Sequence, residues 1–467
     1  MTALYDMVLA VPHADGIRAL LDGNGEERAA YMLFGTSGID ADPWTGKKRV
    51  RLVSHRFIDI LDSDVVSRSP VHVTWSTESF MGLLGEAERS GLVPSIVHTH
   101  PGGSPSFSDQ DDRNESELAR TVRNKGLPGL VSIVIGASDE VGARLWTSRD
   151  HVIPMARIIE TGRRVRIWPG TGDAERALPI HLDRQARLFG DMFNDLLGAL
   201  RIGIVGCGGT GSAVATLLAR LGVGKLLLID RDRIETTNLN RVHGARHADV
   251  VSKRLKATML RDAIVDAGLG VDVVAVADWV GNPACDDALK SCDIIFGCTD
   301  DHAGRAFLNR LAYFYGIPLI DVGLSMRGAT EGSRPDITGR VSTHLAGHTC
   351  MMCSGLVDPR LAAEQSLERN DPAEYARRKA EAYVIGSGDP APAVVTFTTE
   401  AASLAVNELI NALTGYRDAD GMAPMSIRKF HDMKDLSLRP PPQDGCPSCN
   451  GERWGRGDVE PFLDMIR

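Results

Sequence analysis

No apolar run in this 467-residue sequence approaches the ~20 residues that a helix needs to cross a bilayer. The N-terminal stretch has no basic start and already carries Asp6, so it does not have the form of a secretory signal. Positive charge is not in excess: 52 Lys+Arg stand against 61 Asp+Glu, a formal charge of −9. That balance argues against a general phosphate-neutralising surface for nucleic acid. Internal repeats and low-complexity tracts are missing too, which sets aside solenoids and biased linkers. With 43% hydrophobic and 24% charged residues the chain reads as an ordinary folded protein, and its length suggests two to four domains. The expectation is a cytoplasmic enzyme with neither membrane nor nucleic acid as its partner.

Residues 1–155 alternate short strands with helical stretches. RAAYMLFG, VHVTW, SIVHTH and GLVSIVIG read as strands, being rich in β-branched and aromatic residues. GEERAA and DQDDRNESELARTVRNKG read as helical, the second opening on acids that suit a helix N-terminus. Residues 156–180 lose the apolar period and read as a connector. A second domain, 181–467, opens with a helix (RQARLFGDMFNDLL), then a strand (RIGIVG), a glycine turn, a helix and a strand (KLLLID). That βαβ order implies a parallel sheet, so the fold class is α/β in both halves. The polar stretch 357–383 reads as solvated helices inserted before a last apolar helix, EAASLAVNELINALTG.

The cysteines are few but placed. Of eight, four form two C-x-x-C pairs, Cys350/Cys353 and Cys446/Cys449. In a reducing compartment two such pairs read as one four-thiolate structural zinc site, whereas a redox C-x-x-C needs no second copy. Cys207, Cys285, Cys292 and Cys298 read as core cysteines.

A second metal site is written in His98-Thr99-His100-Pro101 followed by Ser108 and Asp111. Alternate residues of a strand share a face, so His98 and His100 can hold one ion. Asp111, on the first turn of the next helix, is a third ligand and leaves a fourth position open. Two imidazoles and a carboxylate with an open position describe a catalytic zinc, which acidifies its water toward pH ~7. Glu27, ahead of the strand AAYMLF, is the candidate proton acceptor, with Glu26 as rival, and Ser108 is a candidate oxyanion donor. H-x-H alone is usually two ordinary histidines. The full string H-x-H-P-x6-S-x2-D resembles the JAMM motif of the MPN/JAB metallopeptidases, a resemblance covering roughly residues 1–150. It implies cleavage of peptide or isopeptide bonds at the C-terminus of ubiquitin-like proteins.

The third constellation is Gly206-Cys207-Gly208-Gly209-Thr210-Gly211, between a strand and a helix. Such a turn sets backbone N–H groups and a helix N-terminus against phosphates. Alone, with Asp230 for a ribose, it also fits a dehydrogenase. The continuation, Asp230, Asp232, Asn238-Leu-Asn-Arg241, then Lys256-Ala257 and Cys298-Thr299-Asp300, resembles the ThiF/MoeB/HesA family, relatives of ubiquitin-activating enzymes. The resemblance covers about residues 181–450 and includes the two cysteine pairs. It implies a Rossmann-like domain that binds ATP and Mg2+ and adenylates a carboxylate. Asp230 would hold the ribose. Arg241, Lys256 and Asn238 would serve the triphosphate, Asp300 magnesium, and Arg305 a phosphate, with Asp232 helping to orient them. An arginine from a second subunit normally completes such a site, with Arg184 or Arg187 the candidate, so a homodimer is expected. Lys253 is a weaker rival to Lys256.

One more absence matters. Ubiquitin-activating enzymes carry a catalytic cysteine between the two zinc pairs, and residues 354–445 contain none. A hydroxyl in the Ser387–Thr399 stretch is a poor nucleophile unless a base lies beside it. The expectation is therefore activation that stops at the acyl-adenylate. The whole reads as a two-headed enzyme for one ubiquitin-like protein, in a bacterial conjugation pathway with a conjugating-enzyme-like partner and a role in antiviral defence. The alternatives are activation of a sulfur carrier and an inactive binding scaffold.

Overall fold

The computed structural model describes residues 3–22, 24–169, 179–329, 334–380, 392–417 and 421–459. These fall into two compact units. The first holds the chain as far as its eleventh strand, Tyr313–Gly316, and the segment from Asn450 onward; the second holds the remainder up to Cys449.

The strands of the first unit are β1 (Leu4–Ala10), β2 (Ala29–Ile39), β3 (Arg49–Asp59), β4 (Val65–Ser69), β5 (His72–Trp75), β6 (Val93–His100), β7 (Leu130–Gly136), β8 (Val141–Ser148), β9 (His151–Pro154), β10 (Arg157–Thr161) and β11 (Arg166–Pro169). Nine make one sheet in the order β11-β10-β1-β3-β2-β6-β7-β8-β9, and β4-β5 pair separately. Side chains alternate across that sheet. Ala30, Met32 and Phe34 of β2 enter one apolar cluster with Met7, Val97 and Ile133. Tyr31 and Leu33 enter the other, with Phe80, Leu84, Ile96, Ala119 and Val122. Phe80 and Leu84 belong to the helix Thr77–Ser90, and Ala119 and Val122 to the helix Asp109–Asn124. The period-2 register therefore decides which side of β6 faces the helices. It is the side of Ile96, and hence of His98 and His100.

Two stretches differ from the sequence expectation. GEERAA is not helical: Glu26 lies in a bend, residues 27–28 have no regular structure and Ala29 opens β2. Six residues of helix formers are too few to nucleate a helix against a strand that follows immediately. The stretch read as a connector contributes β10 and β11, and β10 is buried along all five residues. Its apolar period is masked because polar positions of the strand are filled by paired charge, Glu160 bonding to Arg18. Residues 170–178 lie outside the described residues. The segment after Asn450 also joins this unit. Gly455 and Gly457 donate backbone hydrogen bonds to Tyr313 and Phe314, and Asp458 accepts from Gly38 and from the Tyr315 hydroxyl. Gly457 (φ +55°) lies so close to β2 that a Cβ there would stand 2.1 Å from the Thr36 carbonyl oxygen.

The second unit has β12 (Arg201–Val205), β13 (Lys225–Ile229), β14 (Asp272–Val276), β15 (Ile294–Gly297), β16 (Leu319–Arg327), β17 (Asp336–His344), β18 (Met425–Lys429) and β19 (Lys434–Leu438). The order is β14-β13-β12-β15-β16-β17-β18-β19. The first five are parallel and β16 to β19 antiparallel. Strand order reverses at β12, so the turn after β12 opens at the switch point where doubly wound sheets bind ligands. The opening helix is broken at Gly190 (φ +82°) into Asp183–Phe189 and Asp191–Ala199. Residues 359–380 form two polar helices, and the last helix runs Val395–Thr414. No helix among the described residues is long and apolar enough to cross a membrane.

Candidate functional sites

His98 and His100 end β6, and their Nε2 atoms lie 3.2 Å apart. Asp111 faces both, with Oδ1 at 3.4 Å from His98 and Oδ2 at 3.7 Å from His100. A tetrahedral zinc with Zn–N distances of about 2.0–2.1 Å has ligand–ligand edges of about 3.3 Å, so the trio has the spacing of three corners. The helix Asp109–Asn124 delivers Asp111 through a capping box. Ser108 Oγ accepts from the Asp111 N–H, and the Asp111 carboxylate accepts from the Ser108 N–H and hydroxyl. Burial pushes Asp111 up, but His98 and the two Ser108 donors outweigh it and hold it well below the usual carboxylate range. It is therefore ionised, as a metal ligand would need to be. His100 Nδ1 is 3.2 Å from the Ser104 carbonyl oxygen. A proton donated there leaves Nε2 as the metal-facing lone pair.

The loop that places Ser108 is seated on two glycines. A Cβ on Gly136 would stand 2.9 Å from the Gly103 oxygen, and one on Gly142 would stand 2.2 Å from the Pro105 oxygen. Sequence reasoning passed over both; the signal was two glycines inside otherwise apolar or β-branched strands. Glu27 is buried, and its carboxylate lies 3.9 Å from His100 Nε2. Burial raises its pKa to about 7, with the neighbouring Asp111 charge adding to the rise and His98 opposing it. The neighbouring Glu26 is half-buried. Ser108 directs its hydroxyl hydrogen to Asp111, which makes it a support for that ligand in this arrangement.

In the second unit, the four cysteine sulfurs converge although the pairs are far apart in sequence. Cys350 and Cys446 are 3.7 Å apart, as are Cys353 and Cys449. Zn–S bonds of about 2.3 Å require tetrahedral edges of about 3.8 Å, whereas a disulfide would need about 2.05 Å. Backbone N–H groups point at the sulfurs: Cys350 at Cys449, Cys353 at Cys350, and Gln443 at Cys353. Such donors stabilise thiolates. The residues present fit a four-thiolate zinc.

The glycine turn follows β12 and opens the helix Gly209–Arg220. Gly206 has φ +92°. A Cβ on Gly211 would lie 1.7 Å from the Gly206 oxygen, so the last glycine of the motif is required by the turn itself. Gly208 has nothing within 4 Å of its Cβ position, and it is there that a phosphate can approach the backbone. Asp230 braces the turn, its two carboxylate oxygens accepting from the N–H groups of Cys207 (2.7 Å) and Asp232 (2.8 Å). Burial raises its pKa although Lys256 and these donors pull it down. Lys256 Nζ sits 2.9 Å from Asp232, which thereby orients the lysine. Asn238 is buried and accepts from the Glu235 N–H through its own carbonyl. Arg241 lays its stem 3.2 Å from the Cβ position of Gly209 and donates to Asn240.

Arg305 turns to Asp321 at 3.3 Å, an acid with no exposure that also binds Arg340 at 2.6 Å. Its charge is met from beneath rather than by the turn. Asp300 stands exposed three residues past β15, while Asp301 caps the helix His302–Phe314 through the N–H groups of Ala303 and Gly304. Arg184 and Arg187 are exposed, and Arg187 pairs with Asp183 at 2.8 Å. Lys253 has φ +50° and offers its carbonyl to Arg233. Sequence reasoning also missed His243, whose Nε2 lies 3.0 Å from the Thr399 hydroxyl across 156 residues of chain.

The family model for the ThiF family matches residues 182–448, more than half of the chain. The chain belongs to the ThiF family. A second model, prokaryotic homologs of the JAB domain, matches residues 13–149. Among curated proteins, the molybdopterin-synthase adenylyltransferase of Escherichia coli (strain K12) is 28% identical over 273 residues, 58% of this chain and 96% of that protein. The adenylyltransferase and sulfurtransferase MOCS3 of Mus musculus is 33% identical over 126 residues, 27% of this chain and 26% of that protein. Among solved structures, E. coli MccB with ATP covers 58% of this chain and 75% of its own, at 19% identity and a TM-score of 0.44. The JAB match thus contains the histidine-aspartate trio, and the ThiF match the glycine turn and three of the four thiols, with Cys449 one residue past its end.

Proposed function

We propose that this chain activates the C-terminus of a ubiquitin-like protein by adenylation with ATP, and that its JAB domain hydrolyses a peptide or isopeptide bond at the same C-terminus. The observation that carries the reading is the assembly of two unlike sites in one chain. One is a three-ligand cluster with an adjacent buried carboxylate, the other a braced glycine turn with Lys256 beside it. Both accept the same object, a flexible tail ending in glycine, first with an extension and then without it.

In the JAB domain His98, His100 and Asp111 would hold zinc, which when bound supplies Lewis acidity and an acidified water. Ser108 keeps Asp111 ionised and oriented, and Ser104 fixes the His100 tautomer. Glu27 takes the proton of the attacking water and returns it to the leaving amine, a role suited to a carboxyl raised toward neutral pH. In the ThiF domain Gly208 and the N-terminus of the following helix receive phosphate, and Asp230 meets the ribose while bracing the turn. Arg241 and Lys256 neutralise charge as pyrophosphate leaves. Asp300, exposed at the mouth of β15, would hold magnesium. Arg184 or Arg187, exposed on the opening helix, would reach a second subunit's site in a homodimer. A conjugating-enzyme-like partner and a bacterial defence setting complete the proposal.

The test is ATP–pyrophosphate exchange that requires magnesium and a ubiquitin-like protein ending in glycine, alongside cleavage of its extended form. NAD should neither compete nor be reduced, which separates the reading from a dehydrogenase. Exchange in the absence of any protein substrate, or none with it, would sink the proposal. A second reading, sulfur-carrier activation ending in a thiocarboxylate, is favoured by the lack of cysteine in 354–445 and by the adenylyltransferase relatives. Neighbouring genes that encode sulfur biosynthesis instead of a conjugating enzyme would select it.

A further inference from the structure

We propose that Thr399 is the acyl acceptor of the ThiF domain, with His243 as its base, so that activation proceeds past the adenylate to an ester on this chain. The inference rests on the adenylation reading and extends it.

The candidate acceptors can be sorted by their surroundings. Thiols do not serve. Outside the four-sulfur cluster, Cys207 has no exposure and Cys298 is half-buried, and burial pushes both thiols up from their ordinary range. Cys285 and Cys292 have no exposure. Three threonines stand at the start of the helix Val395–Thr414. Thr396 is exposed. Thr398 is buried and donates its hydroxyl to the Val395 carbonyl at 3.0 Å, as helical threonines commonly do. Thr399 is half-exposed, and its Oγ1 meets His243 Nε2 at 3.0 Å. With the imidazole proton on Nδ1, Nε2 accepts the hydroxyl hydrogen. That is the arrangement by which a weak alcohol becomes a nucleophile. Burial lowers the His243 pKa, which favours the neutral ring that can accept a proton. Ser387 lies outside the described residues.

Position matters as much as chemistry. The His243 backbone N–H donates to Ser212 Oγ at 2.9 Å, and Ser212 is on the first turn of the helix that opens at Gly209. Thr398 Cγ2 and the Arg241 stem both lie 3.2–3.3 Å from the Cβ position of Gly209. The Thr399–His243 pair is thus pinned beside the helix N-terminus where an adenylate's phosphate would rest. A purely structural role, tying the last helix to the Arg241 loop, accounts for the bond but not for a half-exposed threonine whose hydroxyl lies against an imidazole.

The step balances without a co-reactant. Thr399 Oγ1 attacks the acyl carbon of the adenylate. The bond from that carbon to the phosphate oxygen breaks, and AMP leaves with the electron pair. The hydroxyl proton passes to His243 Nε2. The product is an ester, later open to a partner's nucleophile.

The test supplies the activated acyl group ready-made. The full chain is incubated with the synthetic mixed anhydride of N-acetyl-glycylglycine and AMP, and adducts are mapped by mass spectrometry. The expected result is one acyl group on Thr399, labile to hydroxylamine and suppressed by α,β-methylene-ATP. His243→Gln, which can still hydrogen-bond to Thr399 but cannot take its proton, should slow labelling by about 10²-fold or more. Thr399→Ser should keep the label, and Thr399→Cys should convert it to a thiol-labile thioester. No ester on Thr399, or equal labelling in His243→Gln, overturns the inference. Pyrophosphate exchange is measured on the same preparation. Exchange without the ester removes this inference alone, and absence of exchange removes the adenylation reading beneath it.

Discussion

The chain builds two ligand clusters in opposite ways. His98, His100 and Asp111 come from fourteen consecutive residues, on one strand end and the first turn of the next helix. Cys350, Cys353, Cys446 and Cys449 come from two turns separated by more than ninety residues of ThiF domain. The first cluster has three donors, leaves a corner of the tetrahedron open and keeps a carboxylate nearby. The second closes all four corners with sulfur and with backbone N–H donors. A closed set that joins distant segments is a fold device, because metal binding replaces the cost of loop closure. An open local set adds little to the fold, because the β6–helix unit is already tied by its capping box and apolar contacts. What it adds is a coordination position.

That contrast is breakable. The largest effect should come from Cys350→Ser with Cys353→Ser. Structural zinc in small sites contributes on the order of 10 kcal/mol, so this variant should lose one zinc and unfold well below the parent melting temperature. Thermal melting with elemental analysis checks it. His98→Ala with His100→Ala should also lose one zinc, yet melt close to the parent and lose tail cleavage. If it melts as low as the cysteine variant, the division between fold device and active centre is wrong.

Glu27→Gln sharpens the picture of the open cluster. Zinc should stay and cleavage should fall by about 10²–10⁴-fold, the range for a lost general acid–base group. Glu26→Gln should cleave normally. A reversed outcome would hand the role to Glu26, the rival that sequence spacing placed second to Glu27. The burial of Glu27 and its 3.9 Å approach to His100 favour Glu27.

A paired test applies to the glycine turn. Gly211→Ala forces a methyl against the Gly206 oxygen and should destabilise the ThiF domain by roughly 1–3 kcal/mol, the scale of overpacking. Gly208→Ala meets nothing, so stability should hold while ATP affinity falls. Chemical denaturation and nucleotide titration separate the two. The smallest expected effect is Ser108→Ala. Loss of the N-cap costs about 0.5–2 kcal/mol, and a loosened Asp111 should weaken zinc roughly 10–100-fold, as lost support of a metal ligand does.

How much of this was legible in the sequence follows from how local each feature is. H-x-H-P with Ser108 and Asp111, and the G-x-G-G-x-G turn with Asp230, are contiguous or nearly so, and strand alternation plus helix capping convert their spacing directly into geometry. Strand β10 was missed because its polar positions carry ion-paired charge, and hydrophobic periodicity is blind to pairing. The attachment of residues 450–458 to the first unit was invisible for a different reason. Its signal, Gly455 and Gly457 seated against β2 and β3 backbone, depends on a surface hundreds of residues earlier. The same applies to Thr399. Its hydroxyl was dismissed for want of a base, and the base comes from the loop just past Arg241, brought in by the packing of the last helix against the helix of the glycine turn. Arg305 shows the converse: motif position suggested phosphate, while its ion-pair partner here, the buried Asp321, is set by sheet pairing and had no local signal.

The most direct measurement follows one ubiquitin-like protein that carries extra residues beyond its terminal glycines, incubated with the full chain, ATP and magnesium, while cleavage and pyrophosphate exchange are recorded together. If both sites serve one tail, exchange begins only as the extension is lost, and Glu27→Gln abolishes both until the trimmed protein is supplied. Exchange that starts at once with the extension intact, or cleavage of the tail without any exchange, would contradict the account.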